Sequence, residues 1–337
     1  MFLEPGNARS FFARAKVPVV AAPMLIVSGP DLVIAACKSG VPAAFPTANP
    51  REPGELGRWL SRITEECGEN AAPYIPNLIV HHSNPRLADD LKTILKFRPA
   101  AVITSVGSPE HVAPPLKDAG VQVWSDVASV RHAERAIAAG ADGLILLTAG
   151  AGGQTGTANA FAFTTAVRKR FDGLVAVAGG QATGRAVLAA QVLGCDFAYM
   201  GTRFIATQEA NADPRYKQFI VDSELDDIHL TDAFTGLQTN MLRKSMVAQG
   251  LNPQEFSLGT AGTAGRFAME NLGPASGDGP KRWRDLWSAG HSVSGVHSVP
   301  TVAELVDQLS AEYATARRET LGQLAAATGS PSRRSTP

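Results

Sequence analysis

The stretch "LVAVAGGQATGRAVLAAQVLGCDFAYMGT" (residues 174–202) holds one complete structural unit. An apolar, β-branched run ends at a glycine pair, apolar residues then recur at helical spacing, and Gly194 closes that segment before a second apolar run begins. Runs that are apolar on both faces suit parallel strands covered by helices, and a connection of this length suits a right-handed crossover. The order strand, loop, helix, glycine, strand is therefore the reading tried outward along the chain.

It repeats. Eight strand candidates occur: "VPVVAAPM", "VPAAFPT", "PYIPNLIV", "AAVITSVG", "VQVWSDV", "DGLILLT", "LVAVAGG" and "DFAYMGT". Helical spacing recurs between them in "GPDLVIAACKSG", "PEHVAPPLKDAG", "SVRHAERAIAAG" and "TGRAVLAAQVLG". The alternation also suits an open doubly wound sheet, but eight such units close into a (β/α)8 TIM barrel, and that is the α/β fold expected. The repeat ends near Thr202. The expected organisation is a barrel with closing helices over 1–208 and 281–325, a smaller, mostly helical lid over 209–280 near the barrel mouth, and a flexible tail over 326–337.

Composition bounds the function classes. The chain has 337 residues, and 31 basic residues balance 31 acidic ones, so charge recruits neither nucleic acid nor an anionic membrane. Cys37, Cys67 and Cys195 lack CxxC spacing and are odd in number, which speaks against a disulfide framework. The first residues, "MFLEPGNARSFFARAKVPVV", interrupt any signal-like apolar core with an acid and a proline, and no apolar run reaches the roughly 20 residues of a membrane helix. A cytoplasmic enzyme with a small-molecule substrate is expected, and a homodimer is a compatible assembly.

Barrel enzymes place their chemistry where strands end. Here the strand ends carry "APM" (22–24), "NLIVHH" (77–82), "TSVGSP" (104–109), "SDV" (125–127), "TAGAGGQTG" (148–156), "AGGQATG" (178–184) and "MGTRF" (200–204). Glycines crowd the last three. Backbone N–H groups near the final two strands are the usual phosphate donors of such barrels, so "AGGQATGRAV" and "MGTRF" read as a phosphate cup with "AGAGGQTG" as its other side. The competing reading is that these glycines only make tight turns. No metal-ligand spacing and no GxSxG elbow is present, which disfavours a metal site and a serine hydrolase.

In order, "VPVVAAPM", "PNLIV", "ITSVGSPEHV", "GADGLILLTAGAGGQTG", "LVAVAGGQATGRAVLAAQVLGCDFAYMGTRFIAT" and "WSAGH" resemble the nitronate monooxygenase family, also called 2-nitropropane dioxygenase-like, over residues 17 to 310. The resemblance implies an FMN-dependent barrel oxidising alkyl nitronates with O2. It implies that backbone at Ala22, Pro23 and Met24 and the side chain of Asn77 hold the isoalloxazine. Gly152, Gly153, Gly179, Gly180, Gly201 and Thr202 would then hold the phosphate, with His291 near the flavin.

One position departs. Members of the family carry a histidine where this chain has Gln154, and that histidine takes a proton from the carbon beside the nitro group. An amide cannot take up a proton near pH 7. Gln154 then positions a nitro or carbonyl oxygen, and His81, just after the third strand, is the candidate for proton transfer from another direction, although it also reads as a packed strand-end histidine. Arg203 reads equally well as a structural ion pair, and Trp124 and Phe45 as core or pocket wall. Two alternatives stay open: an NAD(P)H-dependent FMN reductase or dehydrogenase acting on an enoyl (CoA) thioester or quinone, with NAD(P)H a transient electron donor, and a catalytically impaired FMN-binding barrel.

Overall fold

The computed structural model describes residues 15–259 and 283–328. All eight strand candidates form strands: β1 (Val19–Ala21), β2 (Ala43–Pro46), β3 (Tyr74–Ile79), β4 (Ala101–Ser105), β5 (Gln122–Val127), β6 (Gly143–Leu147), β8 (Leu174–Ala178) and β9 (Phe197–Met200). They close into a parallel barrel, with β9 returning to β1 through Val19↔Ala198, Val20↔Tyr199 and Ala21↔Met200. The helices follow the strands as the alternation predicts: α1 (Pro30–Lys38), α2 (Glu55–Cys67), α3 (Leu87–Phe97), α4 (Ala113–Asp118), α5 (Val130–Ala138), α6 (Ala160–Arg168) and α7 (Gly184–Val192). The glycines read as helix stops adopt positive φ, namely Gly40 at 86°, Gly120 at 78°, Gly140 at 87° and Gly194 at 100°.

Strand parity decides what the barrel encloses. Val19 and Ala21 pack outward under the helices while Val20 and Ala22 point inward; Leu144 and Leu146 point outward while Ile145 points inward; Val175 and Val177 point outward while Ala176 and Ala178 point inward. Trp124 and Phe197 fill the middle of the barrel, with ring centroids 6.2 Å apart, and the Trp124 indole N–H donates to Gln122 Oε1 at 3.0 Å. Space for that indole exists because residue 143 lacks a side chain: a Cβ there would meet Trp124 Cδ1 at 2.8 Å. Phe45 is likewise fully buried, so both aromatic residues are core.

After β9 come a short α8 (Thr202–Ile205) and then the lid segment. The helices expected there are present as α9 (Pro214–Val221) and α10 (Arg243–Ala248), alongside a β-ribbon that sequence patterns did not show. Its strands, β10 (Ile228–Thr231) and β11 (Thr239–Leu242), are antiparallel, and β11 pairs in turn with a two-residue strand β7 (Gly153–Gln154) in the glycine loop after β6. The glycine-rich stretch from 260 to 280 lies outside the described residues. The closing helix α11 (Val302–Thr328) runs beyond the expected limit at 325 and packs on α7, where a Cβ on Gly184 would run into the backbone at Tyr313. Residues 329–337 of the expected tail are not described.

Gly143→Ala therefore overpacks the barrel centre and should lower unfolding free energy by about 1–3 kcal/mol in urea titration. Gly322→Ala, on an exposed turn of α11 where nothing lies within 4 Å, should instead leave stability unchanged or raise it by up to about 1 kcal/mol.

Candidate active site

The ends of β1, β3, β4, β5, β6, β8 and β9 surround one cavity at the C-terminal mouth of the barrel. Eleven of the sequence-predicted residues line it: Ala22, Pro23, Met24, Asn77, Gly152, Gly153, Gln154, Gly179, Gly180, Gly201 and Thr202.

Each is held locally. The loop after β1 turns sharply at Ile26, whose φ is 68°, and Asn49 pins it by accepting from Ile26 N at 2.8 Å and donating to Met24 O and Ser28 O at 3.1 and 2.9 Å. Asn77 is 5% exposed and its amide donates to Ser105 Oγ at 3.1 Å, which sets its orientation at the cavity wall. Thr202 Oγ1 accepts the backbone N–H of Gly290 at 3.0 Å, so its own hydroxyl hydrogen remains to be donated.

The glycines divide into two kinds. Gly150, Gly152 and Gly156 answer to packing: a Cβ on Gly150 would meet His291 Nδ1 at 2.6 Å, one on Gly152 would meet Gly290 N at 2.7 Å, and one on Gly156 would strike Leu147 O. Gly153 and Gly180, with φ of 68° and 87°, have open space where a Cβ would stand, so at these two the backbone itself is what the cavity meets. Gly179 has φ 118°, and its approach to Thr148 admits no side chain.

Gln154 reaches the cavity because β7 is sewn to the lid. Thr239 and Asn240 pair with Gln154 and Gly153, Thr155 N donates to Gln238 O at 3.1 Å, and Asn240 Nδ2 donates to Ala151 O at 2.7 Å. The far side of the mouth is closed by Tyr216, stacked on Trp287 with centroids 5.0 Å apart and donating from its hydroxyl to Ser288 O.

The two histidines stand apart from this set. His81 is not among the lining residues: its Nδ1 lies 2.8 Å from Ser83 Oγ and its ring 4.1 Å from that of His82, at the rim beyond β3. Partial burial, helped by His82, lowers its pKa. His291 is exposed and lays its ring on Gly150 while its backbone N donates to Gly150 O at 2.9 Å; Ser292 beside it, not His291, lines the cavity. Among the described lining residues there is no histidine, lysine or arginine. Arg203, also off the lining, is 4% exposed and donates to Gly295 O and Gln308 Oε1, a structural role without the ion pair considered from sequence.

Sequence reasoning did not single out Asp126, Gln181, Tyr199 or Trp283. All four line the cavity, and Asp126 Oδ1, Gln181 Oε1, Tyr199 OH and Trp283 Nε1 are each buried without a hydrogen-bond partner. Unpartnered buried polar atoms are uncommon, and four on one cavity wall fit a polar ligand that completes them. With the glycine cradle at 179–180 and 201, this mixture of donors and acceptors suits a phosphate-bearing, ring-containing cofactor such as FMN. Burial alone pushes the Asp126 carboxyl up to about 7 and holds the Tyr199 phenol well above its ordinary value, the latter with help from Asp126. The parity rule shows where Asp126 came from: it lies two residues beyond inward-facing Trp124.

Fold and cavity together define a cofactor-binding (β/α)8 enzyme. The chain belongs to the nitronate monooxygenase family, whose model matches residues 53–312, and it is an FMN-dependent oxidoreductase of that family. A protein named nitronate monooxygenase from Paraburkholderia phytofirmans is 27% identical over 266 residues, which span 75% of this chain and 71% of that one. A Rhodococcus jostii protein named (3aS,4S,5R,7aS)-5-hydroxy-7a-methyl-1-oxo-octahydro-1H-indene-4-carboxyl-CoA dehydrogenase is 28% identical over 230 residues, 68% of this chain and 64% of that one. The solved structure of nitroalkane oxidase from Streptomyces ansochromogenes shares the fold at TM-score 0.76 and 23% identity, covering 93% of this chain and all of that one.

A raised carboxyl pKa means that the native state resists ionisation of Asp126. Its favourable contribution is whole below the unfolded value near 4 and is lost as pH rises toward 7. Asp126→Asn should therefore stabilise the flavin-free protein more at pH 8 than at pH 5, by a further 2–3 kcal/mol or so at about 1.4 kcal/mol per pKa unit. Urea unfolding of both proteins at the two pH values reads the difference.

Proposed function

We propose that this enzyme oxidises alkyl nitronates with O2, and that Gln154 positions the nitro group rather than deprotonating the carbon beside it. The observation that carries this reading is the amide of Gln154 in the cavity, with no histidine among the described lining residues. A nitronate arrives already deprotonated and needs no base, whereas a neutral nitroalkane does. FMN, when bound, supplies the electron acceptor between the substrate carbon and dioxygen. The chain supplies the rest: Gly179, Gly180, Gly201 and Thr202 hold the phosphate, Ala22 to Met24 and Asn77 border the ring system, and the Gln154 NH2 donates to a nitro oxygen. Tyr216, Trp287 and the β-ribbon shield the mouth from water.

Ethyl nitronate should bleach the flavin rapidly under anaerobic conditions at pH 7, and freshly dissolved nitroethane should do so only as fast as it ionises in buffer. Equal rates for the two would sink the assignment. Gln154→Ala should raise KM for the nitronate about 5- to 10-fold, the loss of one hydrogen bond of about 1 kcal/mol, while Gln154→His should gain turnover of neutral nitroethane.

A second reading is favoured by one finding: the named CoA-thioester dehydrogenase is as similar to this chain as the named nitronate monooxygenase. On that reading the cavity takes an enoyl (CoA) thioester or a quinone and NAD(P)H reduces the flavin. Mixing the anaerobic holoprotein with NADH and NADPH separates the two, since fast bleaching favours the reductase and a flavin that stays oxidised favours the nitronate enzyme.

A further inference from the structure

We propose that Asp126 is the specificity-determining residue of this cavity: as a neutral acid it donates a hydrogen bond to one oxygen of a small, planar oxyanion, and as a carboxylate it turns that anion away. The proposal rests on the nitronate reading for the identity of the anion and deepens it.

Asp126 lies on β5 beside Ile145 of β6, two residues beyond inward-facing Trp124, and lines the same cavity as Ser105 on β4, Leu147 on β6 and Ala178 on β8. Its side chain is partly open to that cavity, yet its Oδ1 is buried and unpartnered. No charged partner explains it. From the strands around it only Tyr199 on β9 is titratable, and that phenol stays neutral; Gln181 and Gln154 are neutral amides, and the described lining holds no cation. A carboxyl without a cation is held neutral most cheaply, and a neutral carboxyl has one hydrogen to donate. Gln154, Tyr199 and Trp283 add further neutral donors, so beside an FMN phosphate held at the glycine backbone the cavity can receive one further negative charge as long as Asp126 keeps its proton. Once that proton is lost, two like charges share a low-dielectric space, and one is excluded. Burial places the change at about 7.

The probe pair is isobutyrate and isobutyramide, which match the heavy-atom connectivity of 2-propyl nitronate with a carboxyl carbon in place of nitrogen and differ from each other in charge. Each is titrated into the FMN holoprotein at pH 6 and pH 8 and read from the perturbation of the flavin absorbance, without turnover. With the carboxyl titrating at about 7, its protonated fraction falls about tenfold over that interval, so Kd for isobutyrate should rise about tenfold while Kd for isobutyramide stays level. Asp126→Asn keeps a donor and loses the charge: isobutyrate should bind equally at both pH values, near the wild-type affinity at pH 6. Asp126→Leu should bind it weakly at both.

A wild-type Kd that does not move with pH, a pH dependence that survives in Asp126→Asn, or no binding of isobutyrate at pH 6 would each overturn the proposal, and the first and last need no variant to fold. The outcome is separate from the proposed activity. If isobutyrate shows the switch but nitronates are not oxidised, the anion gate stands and the substrate assignment falls. If nitronates are oxidised but the switch is absent, the gate alone falls.

Discussion

The indole of Trp124, lying in the space that Gly143 leaves by having no side chain, sets the level at which the barrel stops being core. Around it the inward positions are filled by Ile75, Ile103, Ile145 and Phe197, while the cavity lining beyond it includes small or polar residues: Ala22, Asn77, Ser105, Asp126 and Ala178. A close-packed interior transmits such a placement, because a side chain of this size cannot shift by a methylene without moving its neighbours. The cavity is thus a consequence of where the plug ends. Its floor is the packed barrel interior, and its walls are strand ends together with the loops that follow them.

The segment after β9 packs on the barrel through Tyr216, Ile220 and Leu242 and meets the glycine loop at one edge. Two residue pairs, Gln154 with Thr239 and Gly153 with Asn240, join the glycine loop to β11, and Asn240 adds a side-chain bond to Ala151. The segment from Trp287 to His291 then presses on the same loop, which is why Gly150 and Gly152 tolerate no side chain. Gln154 is therefore positioned by a ladder whose other half belongs to the lid. The ribbon thus touches the cavity-lining loop at Ala151, Gly153 and Gln154, and at Thr155 just beyond them.

The eight barrel strands and most of their helices were legible in the sequence, because apolar runs, 3.6-residue spacing and glycine stops all agree in each unit. The ribbon was not. Four-residue strands carry too little alternation to stand out, and a two-residue strand such as β7 carries none. At the site, the glycine loops were visible from their place at strand ends, and Asn77 only through the family resemblance. Part of the glycine signal, however, belonged to packing against 289–291 and not to a ligand. His81 and His291 attracted notice as titratable residues at strand ends or in a family motif, yet neighbouring groups hold their rings off the cavity. Asp126 was hidden for the opposite reason: "WSDV" reads as ordinary alternation until inward parity is counted from Trp124, and Tyr199 and Trp283 likewise show their polar atoms only in three dimensions.

Two features of this site, Gln154 and Asp126, bear on each other. A histidine at position 154 would bring a base and, when protonated, a cation into the cavity; glutamine brings neither. Without a cation nearby, Asp126 gains nothing from ionising and loses hydration by doing so, which is the condition that keeps a carboxyl neutral. The absence of a histidine and the elevated carboxyl are thus one electrostatic arrangement. The described lining sets neutral donors around one carboxyl whose burial favours its neutral form, the arrangement on which the proposed charge gate rests.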